Sequence, residues 1–301
     1  MTKKSLMPII LMILVWAGYY IASKYLVNLT GSPYLTGMLL RGAALIIYTA
    51  ILLINGDFKL LFKTGKVWYL LLIIGVLGFA LDTFANIGFK YSSASSGTVL
   101  LKLDVLMVNI VTAIFIHKSL KVSDWIFSII MLIGVILVLN INYKTLNFNI
   151  YDLFFILSAM AITANAFIIK WVQKKFNVNS NVIGYYNNLT VFILFTISCL
   201  ITGDLTNWDF GSTNSIFWIV AISGGLMQCA IYIFYYYNLK RFQVWLVKVF
   251  LLFVPIVTSI VSIIFLKERL QAVTLIGMGV VLIGAFGILI TKSKDKGEVV
   301  K

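Results

Sequence analysis

VPIVTSIVSIIFLKERLQAVTLIGMGVVLIG, residues Val254 to Gly284, is two apolar runs joined by one charged turn, Lys267-Glu268-Arg269. The second run carries Gly277, Gly279 and Gly284. A related stretch, DVLMVNIVTAIFIHKSLKVSDWIFSIIMLIG, runs from Asp104 to Gly134. Between the two, Phe115 matches Phe265, Leu120 matches Leu270, Leu132 matches Leu282 and Gly134 matches Gly284. A helical hairpin that recurs at half the chain length predicts a duplicated unit.

Composition sets the medium. Of 301 residues, 61% are hydrophobic and 11% charged, against about half and about a quarter in soluble domains. Mean hydropathy is +1.02. Apolar runs of membrane-crossing length, about 20 residues, recur throughout. Cys199 and Cys229 lie inside such runs and read as small hydrophobes. The first run, from Leu6, follows Lys3 and Lys4 but has no small-residue cleavage site, so it reads as a membrane helix rather than a removed signal.

The pattern predicts an all-α membrane protein of ten spans, near 6–27, 33–54, 67–90, 95–117, 124–141, 150–172, 181–202, 215–238, 242–266 and 272–291. With the N-terminus inside, inner segments hold Lys3, Lys4, Lys59, Lys63, Lys66, Lys118, Lys121, Lys170, Lys174, Lys175, Lys240, Arg241, Lys292, Lys294, Lys296 and Lys301. Outer loops keep Lys90, Lys144, Lys267 and Arg269. Cytoplasmic loops concentrate Lys and Arg, so both termini are placed in the cytoplasm. The same rule accounts for the net charge of +14. Its dispersal over short loops argues against nucleic acid, which needs a basic stripe.

Five spans per half is an odd number, so the second half enters from the opposite side. Two inverted repeats follow, 1–145 and 146–301, a pattern of secondary transporters that bind substrate near the midplane between repeats. The first spans of each half align at an offset of 146, Lys24 with Lys170 and Arg41 with Asn187.

WAGYYIASK (Trp16 to Lys24), SPYLTGMLLRGAAL (Ser32 to Leu45) and Pro255 followed by the Leu266-Lys267-Glu268-Arg269-Leu270 turn and Gly277 and Gly284 together resemble the drug/metabolite transporter superfamily, in its ten-helix EamA-type branch. The resemblance covers essentially the whole chain. It implies a transporter, more often an exporter than an importer. The expected protein moves small organic metabolites across a bacterial cytoplasmic membrane, as monomer or homodimer. Val105 stands where the first half would carry the proline, and Lys118 replaces the glutamate, so substrate assignments do not transfer.

Charges deep in apolar runs are costly, about 2.5–3.5 kcal/mol each on insertion scales, and mark function or pairing. Here they are Arg41, Asp82, Lys102, Asp104 and Lys248. Asp82 lies eleven residues before Ser93 and Lys102 nine after it, which at 1.5 Å per residue puts them at similar depth. One reading is an Asp82–Lys102 ion pair; the other is a substrate cavity. The cavity candidates are Trp16, Tyr20, Asp82, Asn86, Lys102, Asp104, Asn109, Asn165, Gln228, Tyr232, Trp245 and Lys248, with Tyr235 on the stripe of Gln228 and Tyr232. Acids, lysines and aromatic faces in one cavity suit an amino acid or related zwitterion. Asp82 and Asp104 are the proton-coupling candidates. Arg41 is expected to anchor the bundle by bonding carbonyls or an acid, and Pro255, Glu268, Gly134 and Gly284 to serve structure. An organic-cation transporter is the alternative, and an intramembrane enzyme or lipid-handling protein a further one. Neither a metal nor a cofactor is expected: His117 stands alone, and no HExxH, paired-cysteine or phosphate-loop motif occurs.

Overall fold

The computed structural model describes residues 3–62, 65–115, 122–139, 149–241, 247 and 250–298. Every regular element among them is helical. α1 runs Lys3–Thr30, α2 Pro33–Ile54, α3 Trp68–Tyr91, α4 Ala94–Leu100, α5 Leu103–Phe115 and α6 Val122–Val138. α7 runs Leu153–Phe176, α8 Ser180–Thr202, the single turn α9 Asp204–Asn207, α10 Ser215–Arg241, α11 Phe253–Phe265 and α12 Ala272–Glu298.

Seven helices among the described residues are long and apolar enough to cross a membrane. Val122–Val138 and Phe253–Phe265 are apolar but shorter. The expected span 95–117 is not one helix. It divides at Leu101-Lys102 into α4 and α5, where Lys102 N donates to Val99 O and Val105 N to Lys102 O, reaching three residues back rather than four. The expected ninth span, 242–266, begins outside the described residues.

Local sequence explains where helices stop. Ser32 caps α2 by accepting from Leu35 N at 3.0 Å, with Pro33 in the first turn, where its missing N–H costs nothing. Ser93 caps α4 through Ser96 N. Asn177 ends α7 in a left-handed conformation, φ 51°, which asparagine tolerates better than most side chains. Large apolar side chains such as Ile46, Leu53, Ile129, Ile197, Ile219 and Ile283 stay exposed around the outside. Spread over the flanks of the long helices, they form a surface for lipid rather than for water.

The helices alternate in direction. The end where α1 begins will be called lower, and the end where α3 finishes and α7 begins upper. Asn238 near the end of α10 donates to Pro8 O at the lower end. Asn149 ahead of α7 donates to Tyr91 O at the upper end.

Small residues set how near the helices come. A Cβ at Gly134 of α6 would lie 2.5 Å from Val281 N of α12, and one at Gly284 of α12 would lie 2.7 Å from Met131 N of α6. A Cβ at Gly75 of α3 would meet Thr190 of α8, and one at Gly225 of α10 would meet Ala43 and Ala44 of α2. α3 packs on α7 and α8, and α10 packs on α1 and α2.

Candidate functional site

Asp82 is the buried acid that the bundle has to neutralise. Arg41, on α2, does so: Nε donates to Asp82 Oδ2 at 2.6 Å, with the side chains only 4% and 3% exposed. Arg41 Nη1 donates to Asn188 Oδ1 at 2.8 Å and to Tyr232 Oη at 3.1 Å. Tyr19 Oη donates to Asp82 Oδ2 at 3.3 Å. Five helices, α1, α2, α3, α8 and α10, thus meet at one guanidinium–carboxylate pair. Low dielectric strengthens the attraction, but only saturated hydrogen bonding makes such burial tolerable. Tyr19→Phe removes the longest of these bonds, and about 1 kcal/mol of stability should be lost in detergent unfolding.

A cavity of about 410 Å³ lies below the pair. α1 lines it with Trp16, Tyr19 and Tyr20; α2 and α3 with Arg41, Gly78, Leu81 and Asp82; α5 with Val108. α7 contributes Ile162, Asn165, Ala166, Phe167, Ile169, Lys170 and Gln173. α8 and α10 add Asn187, Gln228, Ile231, Tyr232 and Tyr235. Lys170 is exposed and Gln173 partly so, and both lie near the lower end of α7, so the mouth is there. Trp16 donates its indole N–H to Tyr20 Oη at 3.0 Å and meets Tyr235 edge-on, ring centres 5.5 Å apart. Aromatic walls around one ion pair and several amides suit a small organic molecule.

Toward the upper end, polar contacts tie the described helices together above the cavity. Ser23 Oγ donates to Asn86 Oδ1, and Asn86 Nδ2 to Pro33 O at 3.1 Å. Lys24 Nζ donates to Phe89 O at 2.5 Å and to Ser92 O at 2.8 Å. Glu268 accepts from Ala94 N at 2.6 Å, Ser95 N at 3.3 Å and Ser95 Oγ at 2.8 Å. Glu268, expected to serve structure, thus caps α4. The aromatic ring of Phe155 fills the space that side chains at Gly88 and Gly97 would need.

Six of the expected cavity residues share this space: Trp16, Tyr20, Asp82, Asn165, Gln228 and Tyr232. Asn86 instead belongs to the upper contacts. Lys102 is buried at the α4–α5 break, and Asp104 opens α5, its carbonyl accepting from Thr163 Oγ1 at 3.3 Å. Neither is among the lining residues. The Asp82–Lys102 pair, one of the two readings, gives way to Asp82–Arg41, because equal depth does not fix which face of a helix a residue occupies, and the chain at Lys102 is not one continuous α-helix. Arg41, expected as an anchor, both anchors and lines the cavity. The side chain of Asn109, and Trp245 and Lys248, fall outside the described residues. Pro255 is buried at the start of α11, and Gly134 and Gly284 form the α6–α12 seam. Tyr19 and Asn188 were not foreseen. Tyr19 follows Trp16 by three residues and so shares its face; Asn188 carries no periodic signal.

The described helices form a membrane-spanning bundle around a central cavity. The model of the EamA-like transporter family matches residues 3–140 and again 149–290, and the chain belongs to that family. An uncharacterized transporter of Archaeoglobus fulgidus is 26% identical over 279 residues, spanning 90% of this chain and 93% of that protein. A crystal structure at 15% identity shares the fold, with a TM-score of 0.64 over 98% of this chain and 99% of the other. The chain is an integral membrane protein of a transporter family.

Proposed function

We propose that the chain carries an amino acid or related zwitterionic metabolite across the cytoplasmic membrane by alternating access. It does so as ten spans in two inverted five-helix repeats, 1–145 and 146–301, with both termini cytoplasmic. The observation that carries this reading is the aromatic and amide cavity at Arg41–Asp82, which extends along α7 to the exposed Lys170 near one end of the bundle.

The repeat is supported by how contacts pair up. Gly134 on Val281 and Gly284 on Met131 are one contact written twice, each position 150 residues from its counterpart. Gly75 on Thr190 and Gly225 on Ala44 repeat the relation, with α1 and α2 offset by 146 from α7 and α8. Trp16, Tyr19 and Tyr20 line the cavity, and so do Ile162, Asn165 and Ala166, 146 residues on.

The cargo's ammonium would meet the aromatic rings and Asp82, and its carboxylate Arg41 or Lys170. Asp82 is the leading proton-coupling group, with Asp104 second. An organic cation is favoured instead by one observation, the absence of Lys102 from the cavity wall. Thermal unfolding against amino acids and quaternary amines separates the two. A ligand at 100 times its Kd stabilises by about 2.7 kcal/mol. A zwitterion should stabilise the parent and fail on Asn165→Leu, a cavity-wall variant. Stabilisation by amines alone would transfer the assignment to organic cations, and equal stabilisation of parent and variant would place the site elsewhere.

A further inference from the structure

Lys24 does a specific job at the upper end. Its ammonium sits on the carbonyls that finish α3, Phe89 O and Ser92 O, where the helix dipole is negative. Glu268 holds the other side of the same turn, on the N–H groups that begin α4. A cation from α1 and an anion from the α11–α12 turn therefore clamp one short connection from opposite sides. Both contacts lie on the upper side of the cavity, Lys24 and Glu268 lining a separate pocket there.

The position 146 residues after Lys24 is Lys170. The cavity wall supports this register, since Trp16, Tyr19 and Tyr20 correspond to lining residues Ile162, Asn165 and Ala166. Lys24 is 9% exposed and bonded at the upper end; Lys170 is exposed at the open mouth. The counterpart of α3 is α10, offset by 150, as Gly75 and Gly225 show by their contacts. The position matching Phe89 is then Leu239, in the last turn of α10.

We infer that Lys24 and Lys170 are alternating latches, Lys24 closing the upper end on the α3 carbonyls in this state and Lys170 closing the lower end on the α10 carbonyls in the opposite one. The inference rests on the alternating-access reading and deepens it. The latches are unequal. Glu268 has Lys118 as its counterpart in the sequence, so the matching position carries a base instead of an acid. That inequality biases the unloaded carrier toward the upper-closed state.

Side-specific thiol labelling tests this without a known cargo. Gln228→Cys places a reporter in the cavity wall, and an impermeant maleimide is applied to either face of sealed vesicles. The chain without the added cysteine gives the background from buried Cys199 and Cys229. The reporter should label chiefly from the lower face. Adding Lys24→Met should raise upper-face labelling about tenfold or more, the scale of losing charge-assisted hydrogen bonds, and Lys24→Arg should leave it near the parent. Adding Lys170→Met to Lys24→Met should reverse most of that rise. An unchanged side ratio with Lys24→Met, or no reversal with Lys170→Met, overturns the latches while two-sided labelling keeps alternating access. Absence of upper-face labelling in every variant overturns both. If Lys24→Met does not fold, Glu268→Gln replaces it, keeping the side chain's shape and removing the charge.

Discussion

Arg41→Met should destabilise the bundle by about 3–5 kcal/mol, the cost of leaving a buried charge without its partner. Asp82 would retain only the 3.3 Å bond from Tyr19, and Asn188 and Tyr232 would lose their shared donor. The double variant Arg41→Met/Asp82→Leu should recover most of the loss, since an apolar pair of similar volume removes the charge as well as its partner. Unfolding of the purified protein in mixed micelles reads both numbers. If the double variant is as damaged as the single, the packing of Arg41 rather than its charge holds the centre together. If the single variant is nearly neutral, Asp82 is neutralised by a proton rather than by Arg41.

The second large effect lies on the α6–α12 seam. Gly284→Leu puts a side chain where even a Cβ would come within 2.7 Å of Met131 N and 2.9 Å of Met131 Cα. Backbone cannot yield as a flexible side chain does, so the two helices must separate. A loss of about 3 kcal/mol, at the upper end of the overpacking range, should appear as a lowered Tm. Gly279→Ala is the control. Nothing lies within 4 Å of the added Cβ, and alanine favours the helix by about 1 kcal/mol over glycine, so its Tm should hold or rise. Equal behaviour of the two variants would mean that the seam is not close-packed.

The hairpin repeat of Val254–Gly284 and Asp104–Gly134 was readable because glycines and apolar runs carry their spacing with them. Gly134 and Gly284 turn out to be contacts of one kind, each against the other's helix. Asp82 was readable as a site of consequence, because an acid inside an apolar run demands an answer. Its partner was not. Counting rise from the Ser93 turn gives Lys102 only a depth, and pairing also needs the azimuth and an unbroken helix. Three-residue hydrogen bonds near Lys102 remove the second condition. Arg41 lies forty-one residues before Asp82 on a helix whose packing against α3 no periodicity reveals. The Lys24–Lys170 correspondence was in the sequence as a bare alignment; the α3 carbonyls gave it a physical meaning.

The Arg41–Asp82 pair also bears on how the chain enters its membrane. Both charges belong to the first half, on neighbouring helices α2 and α3. A nascent chain that releases these helices one at a time must place a bare arginine, and then a bare aspartate, in hydrocarbon. Released together as a hairpin, they arrive already cancelled. Glu268, by contrast, emerges only with the last hairpin, so the seal over the α3–α4 turn is among the final contacts that biogenesis can make.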